Sequence, residues 1–173
     1  MSLRPDRHRF QTLLLEHQGI VFKVAALYAR HAEDRRDLAQ DIGLQAWRSF
    51  ARFDPSKAKF STWLYRVALN VAISQWRKAS HAWDERLEPL EQHHLDGIGS
   101  DVAPEPDERL VSLYAFIGRL DALNRALILL YLEDRSYTEI AEILGITETN
   151  VATKIGRIKQ TLRGHMTATP LGA

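Results

Sequence analysis

Two stretches of this chain gather side chains suited to a polyanion, and neither holds a catalytic set. From Lys57 to Lys78, five cations (Lys57, Lys59, Arg66, Arg77 and Lys78) stand without an acid, interleaved with Phe60, Trp63, Asn70 and Trp76. Rings stack on the faces of unpaired bases while Lys and Arg neutralise phosphates, so this mixture suits single-stranded nucleic acid. The same rings are equally at home in a core, because large aromatics are mostly buried. A second acid-free stretch carries Thr149, Asn150, Thr153, Lys154, Arg157, Lys159, Gln160 and Arg163, types that meet phosphates and base edges.

Enzyme chemistry finds no foothold. The chain has no cysteine, which excludes disulfides, thiolate nucleophiles and cysteine-bound zinc. It has no Gly-rich phosphate loop, and the His93-His94 pair near Asp96 lacks distant partners at metal-ligand spacing and reads as solvent-exposed. No catalytic residue, metal or cofactor is assigned, and the protein is not expected to be an enzyme.

Total charge is a poor guide here. The formal net charge is only +1, but from Asp84 to Glu108 nine acids face the single Arg86, so a negative segment separates the two positive ones. At 173 residues, 45% hydrophobic and 26% charged, the composition is that of an ordinary globular protein of one or two domains. The first ten residues lack an apolar signal core and no run approaches a membrane span, so a cytoplasmic protein with no membrane partner is expected.

The elements that must position these side chains are helices throughout. Between Arg7 and Arg30 the apolar positions Phe10, Leu13, Leu14, Ile20, Val21, Val24, Ala25 and Tyr28 break near Gln18-Gly19, predicting one bent helix or two short ones. A further helix runs from about Asp34 to Phe50 with Leu38, Ala39, Ile42, Ala46, Trp47 and Phe50 inward and Asp37, Gln40, Asp41 and Gln45 outward. Phe53-Asp54-Pro55-Ser56 is a turn, since Pro55 fixes its own φ and pushes Asp54 out of helical geometry. Ser61 or Thr62 then caps a helix with Leu64, Val67, Ala68 and Val71 inward, and Trp63, Tyr65, Arg66, Asn70, Gln75, Trp76, Arg77 and Lys78 on its remaining surface.

From His81 to about Pro106 the helical period fails among Pro89, Gly97, Gly99, Pro104 and Pro106, which predicts a flexible acidic linker with a short helix near Asp84 to His94. Beyond it Leu110, Leu113, Tyr114, Ile117 and Leu120 predict one helix, and Ala126, Leu127, Leu129, Leu130 and Leu132 the next. Ser136 with Glu139 three residues on spells a capping box, Gly145 supplies a positive-φ stop, and Thr147 caps a second helix with Val151, Ile155, Ile158 and Leu162 inward. A small Ala141, the Gly145 turn and a buried Val151 at these offsets are a helix-turn-helix pattern, whose second helix enters the major groove. The alternative is an ordinary helical hairpin with a solvated basic face. The fold expected is all-α: two small helical domains, 1–80 and 107–166, joined by the linker 81–106, with the helix-turn-helix in the second and a disordered tail 167–173.

Taken in order, DRRDLAQDIGLQAW, FDP and FSTWLYRVALN resemble region 2 of bacterial RNA polymerase sigma factors of the extracytoplasmic-function group. LNRALILLYLEDRSYTEIAEILGITETNVATKIGRIKQTLR resembles their region 4. The resemblance covers nearly the whole chain. It implies a factor that binds core RNA polymerase and recognises the minus-thirty-five and minus-ten promoter elements, promoting melting for transcription initiation. The polymerase contacts would be the clamp helices of the largest subunit, met by Asp37, Gln40 and Asp41, and the flap. Phe60, Trp63, Arg66, Asn70, Arg77 and Lys78 would hold the minus-ten element. Thr149, Asn150, Thr153, Lys154, Arg157, Lys159 and Arg163 would hold the minus-thirty-five element, and an anti-sigma factor would be a further partner. Two departures stand out: Gly43 replaces a bulky apolar residue, loosening that helix or admitting a neighbour's side chain, and Ala152-Thr153-Lys154 with Gly156 replaces a more basic run. The competing classes are a conventional helix-turn-helix regulator, which leaves the basic aromatic segment without a task, and a helical adaptor that binds only protein.

Overall fold

The computed structural model describes residues 6–82 and 107–168, and every regular element among them is helical. They fall into two units divided between Ala82 and Trp83. The first holds α1 (Arg7–Glu16), α2 (Gln18–Tyr28), α3 (Ala32–Ser49), a 3₁₀ turn (Phe50–Arg52) and α4 (Phe60–Ala82). The second holds α5 (Glu108–Arg119), α6 (Ala122–Leu132), α7 (Tyr137–Leu144) and α8 (Glu148–Ala168). The expected linker lies outside the described residues except for His81 and Ala82, which continue α4, and with it go the short helix near Asp84 and the His93-His94 pair. Of the expected tail, Thr167 and Ala168 continue α8, and residues 169–173 lie outside the described residues.

In the first unit the break falls at His17, one residue before the predicted one. The His17 Nδ1–H donates to the Leu13 carbonyl (2.9 Å), closing α1 with a side chain where Gly19 sits comfortably inside α2. Asp6 caps α1 by accepting from His8 and Arg9 N–H, both at 3.1 Å. Helices α2, α3 and α4 then bury Val24, Ile42, Ala46, Leu64, Ala68 and Leu69 against one another. Helix α4 starts at Phe60, so Ser61 and Thr62 lie in its first turn and neither is its cap; Trp63 N–H already donates to the Lys59 carbonyl (3.1 Å). Gly43 neither breaks α3 nor admits a neighbour, because a Cβ built there meets nothing within 4 Å.

The described residues of the second unit form four helices around Phe116, Ile117, Leu127, Leu130, Ile140, Ile143, Val151, Ile155 and Ile158. Asp107 caps α5 and Asp121 caps α6, accepting from Arg109 N–H (2.9 Å) and Asn124 N–H (2.8 Å). Arg125, only 3% exposed, donates from Nε to the Leu120 carbonyl (3.0 Å) and from Nη2 to the Gly118 carbonyl (2.6 Å), pairing acceptors that the end of α5 would leave buried and unmet. Leu110 and Leu132, expected in the apolar faces, are 43% and 55% exposed.

Left-handed residues close both α6 and α7. Asp134 (φ 56°) follows α6 with Arg135 N–H donating to the Leu130 carbonyl and Asp134 N–H to the Tyr131 carbonyl, both 3.1 Å, a Schellman closure with aspartate where glycine is usual. Gly145 (φ 68°) ends α7, its N–H reaching the Ala141 carbonyl at 2.9 Å. A side chain in this region costs about 1–2 kcal/mol, somewhat less for Asp. Gly145→Ala should therefore lower, and Asp134→Gly raise, the stability of the second unit. Each effect should be about 1 kcal/mol, a shift of roughly 4–8 °C in a circular-dichroism melt of the full chain.

Candidate nucleic-acid interface

Helix α4 sorts its mixed surface into two sides. Trp63, Arg66, Asn70 and Arg77 follow at steps of three, four and seven, so they line the side away from buried Leu64, Ala68, Leu69 and Ala72. Arg66, Asn70 and Arg77 are exposed and Trp63 is half-buried; Lys78, also exposed, stands on the flank. The residues that the sequence left on this surface but the structure packs against protein neighbours are Tyr65 and Trp76, while Gln75 stays exposed. Tyr65 is fully buried, Trp76 presents its ring edge-on to Tyr28 (6.0 Å), and Gln75 Nε2 donates to Asp41 Oδ2 across to α3 (2.7 Å).

Phe60 is corrected too. It is 7% exposed, with His17, Phe50, Phe53 and Trp63 at ring-centroid distances of 5.1, 6.4, 5.5 and 5.4 Å. Packing against these protein neighbours takes up most of its ring. What this cluster does is seat the loop: Phe53 lies 5.3 Å from Trp63 and 5.9 Å from Phe50. Within the loop, Asp54 Oδ1 accepts from Ser56 Oγ (2.6 Å) and Ser56 N–H (2.9 Å). These two bonds, the hydroxyl's first, hold the Asp54 carboxyl below its ordinary pKa, so the turn keeps its anionic form at neutral pH.

On α3, Asp37, Gln40 and Asp41 are all exposed on the outer side, as expected. The sequence reading missed Leu44, 47% exposed and four residues after Gln40, which adds an apolar group to that polar side. Its signal was available, since the period that buries Leu38, Ile42 and Ala46 leaves Leu44 outside the stripe.

In the second unit the predicted cap bonds are in place. Ser136 Oγ accepts from Glu139 N–H (3.2 Å) while Glu139 Oε2 accepts from Ser136 N–H (3.4 Å), and Thr147 Oγ1 accepts from Asn150 N–H (3.1 Å). Val151, Ile155 and Ile158 are buried, which turns Thr149, Asn150, Thr153, Arg157, Gln160 and Arg163 to the exposed side of α8. Lys154 and Lys159 are half-buried on its two flanks. The Lys159 ammonium lies 4.4 Å from the centroid of the Tyr131 ring, and the Tyr131 hydroxyl holds its pKa above the ordinary lysine value. This cation is therefore braced against α6 and stays charged.

Among the described residues no group of three or more His, Asp or Glu could hold a metal ion, and no described helix is long and apolar enough to cross a membrane. The sequence matches the family model for sigma-70 region 2 over residues 13–82 and that for sigma-70 region 4 over residues 110–162. It is 31% identical over 173 residues to the extracytoplasmic-function RNA polymerase sigma-E factor of Haemophilus influenzae, spanning 93% of this chain and 89% of that one. The chain belongs to the extracytoplasmic-function sigma factors. The SigW sigma factor of Bacillus subtilis is 29% identical over 170 residues, 93% of this chain and 90% of that one.

Two solved structures share the fold of this sigma factor. CnrH, solved in complex with the cytosolic domain of CnrY, aligns with a TM-score of 0.66 at 24% identity over 95% of this chain and 91% of that one. RpoE of Bartonella quintana, solved with the anti-sigma factor NepR, gives 0.68 at 22% identity over 93% and 98%. As a sigma factor the protein binds core RNA polymerase, recognises promoters and initiates transcription without being an enzyme itself.

The assignment of Phe60 to the core is checked without DNA. Phe60→Ala should destabilise the first unit by about 3–5 kcal/mol. Trp63→Ala, at a half-buried site, should cost less. A Phe60→Ala chain that melts at the temperature of the unchanged protein would overturn the assignment.

Proposed function

We propose that this sigma factor divides its work among three helix faces. The side of α3 with Asp37, Gln40, Asp41 and Leu44 docks on the clamp helices of the polymerase largest subunit. The side of α4 with Trp63, Arg66, Asn70 and Arg77, flanked by Lys78, holds the melted minus-ten strand. The exposed side of α8 reads the minus-thirty-five element in the major groove, and the second unit as a whole meets the flap.

The observation that carries this reading is the α4 face. Two guanidinium groups, an amide and an indole stand in line on one side of a helix that carries no acid from Phe60 to Lys78. A duplex reader needs no half-exposed indole, whereas an unpaired strand offers base faces worth roughly 1–3 kcal/mol each in stacking. On α8, Thr149, Asn150 and Thr153 sit nearest the N-terminal end that enters the groove and are assigned to base edges, with Lys154 and Arg157 beside them. Lys159 and Arg163, farther along, are assigned to phosphates. An anti-sigma factor is proposed as a regulatory partner, supported by the NepR complex of a protein that shares this fold.

The deciding experiment combines the purified chain with core polymerase and a premelted promoter. A stable complex that starts transcription is expected; binding to duplex alone would favour a conventional regulator, and binding to polymerase without DNA an adaptor. Docking is tested by Asp37→Lys, which spares the Asp41–Gln75 bond and should weaken core binding about tenfold or more, since like charges brought together at an interface cost several kcal/mol. On duplex DNA, Arg163→Ala should weaken all sequences alike and lower the salt slope by about 0.9 for each phosphate it no longer neutralises. Asn150→Ala should instead relax preference at one base position by about 1–3 kcal/mol. Uniform weakening by Asn150→Ala would refute this division between base and phosphate contacts.

A further inference from the structure

Tyr131, which none of the three faces includes, is the partner of Lys159. Lys159 stands on a flank of α8 and Tyr131 in the last turn of α6, and both are half-buried. The ammonium lies 4.4 Å from the centroid of the tyrosine ring, whose negative face attracts a cation. The Tyr131 hydroxyl is also its hydrogen-bond partner, the first cause that holds Lys159 above its ordinary pKa. Arg163, four residues on and hence on the same side of α8, is close enough to act on the Lys159 charge.

In that hydrogen bond the ammonium is the donor, because it carries three N–H groups and no lone pair. The hydroxyl therefore accepts, and its own proton takes no part in the bond. Two further ammonium N–H groups take no part either. One positive charge and three donors thus meet at one point, a set that suits an anion with several acceptor oxygens. Lys159 also stands nine residues after Asn150, about 14 Å along the helix axis from the end assigned to base edges. A helix that presents its N-terminal end to the bases brings this flank to the backbone beside them.

A lysine stem has more rotamer freedom than almost any other side chain, and a surface lysine loses it when it binds. Here the ring and hydroxyl restrict the stem before any DNA arrives. The entropic loss falls on folding and not on binding.

We propose that Tyr131 is a positioning residue for promoter recognition: it holds the Lys159 ammonium in place for one backbone phosphate beside the minus-thirty-five element, and its hydroxyl donates to the same phosphate. The contact has no base preference of its own and fixes the register of α8 along the groove. The inference rests on the reading that α8 enters the major groove at that element.

The test uses the full chain bound to core polymerase and a promoter duplex that this complex enriches from a random pool, with single phosphates replaced by uncharged methylphosphonates. Affinity is read by fluorescence anisotropy across a salt series. On the unmodified duplex Lys159→Ala should lower the salt slope by about 0.9. Tyr131→Phe, which keeps the ring and loses the hydroxyl, should weaken binding about two- to tenfold, the worth of one hydrogen bond, at an unchanged slope. Tyr131→Leu, which loses both, should weaken it more. All three losses should shrink on the duplex with one particular methylphosphonate, the same one for each variant, and on no other. A melt of each variant verifies folding. Tyrosine variants that bind as the unchanged chain does, or that weaken every duplex by one common factor as a purely structural brace would, overturn the proposal alone. Indifference of the unchanged chain to every methylphosphonate and to every upstream base pair overturns the groove reading beneath it.

Discussion

Every helix leaves four N–H groups and four carbonyls unpaired at its ends, and a protein built from short helices meets that constraint at each turn. Among the described residues the second unit packs four helices into little more than sixty residues, so its form depends on how these ends are satisfied. Asp107, Asp121, Ser136 with Glu139, and Thr147 supply acceptors at the four starts. Buried Arg125, the left-handed Asp134 and the left-handed Gly145 close the first three ends. The angle between α7 and α8, on which groove entry depends, follows from Gly145 and Thr147 two residues apart. A helix-turn-helix is thus a statement about end groups before it is one about DNA.

Most of this was legible because capping is local. Ser136, Glu139, Gly145 and Thr147 carry their meaning within three residues, and each forms the contact its type suggests. Arg125 and Asp134 were not legible for the opposite reason. An arginine inside an apolar helix gives no sign that it reaches back to carbonyls five and seven residues earlier, and aspartate tolerates the left-handed region without announcing it. His17 ended α1 two residues before the glycine in the Gln18-Gly19 pair that the sequence pointed to, with a side-chain bond to the Leu13 carbonyl added to the backbone bonds there.

The first unit shows where composition stops being informative. Rings among cations satisfy two environments, and only position relative to the core separates them. Trp63, Arg66, Asn70 and Arg77 stayed on one outer side, whereas Phe60, Tyr65 and Trp76, drawn from the same mixture, went to protein neighbours. A helical wheel drawn from Leu64, Ala68 and Leu69 places Tyr65 inside without further information. Phe60 is harder, since at the first turn of α4 its ring answers to the loop and to His17 and not to the helix period. Leu110 and Leu132 mark the reverse failure: a period assigns residues to a stripe, but at the ends of a helix the stripe runs out of partners.

Both proposed DNA faces stand directly over tightly buried side chains, and this arrangement separates specificity from stability. Behind the α8 face lie Val151, Ile155 and Ile158, and behind the α4 face Leu64, Ala68, Leu69 and Ala72, all at most 5% exposed. The buried layer holds each helix in place, while the outer Arg66, Asn70 and Arg77 are exposed and Trp63 alone of the α4 set packs its half-buried ring on Phe50, Phe53 and Phe60. Exposed substitutions then usually change stability by no more than about 0.5 kcal/mol, against roughly 1–3 kcal/mol of discrimination from a well-placed base-edge hydrogen-bond pair. Gly156 fits the same logic. It is exposed in the middle of α8, with nothing within 4 Å of a built Cβ, and gives up roughly 0.5–1 kcal/mol of helix stability relative to alanine. Val151, Ile155 and Ile158 beneath it offset that loss by holding α8 against the rest of the unit.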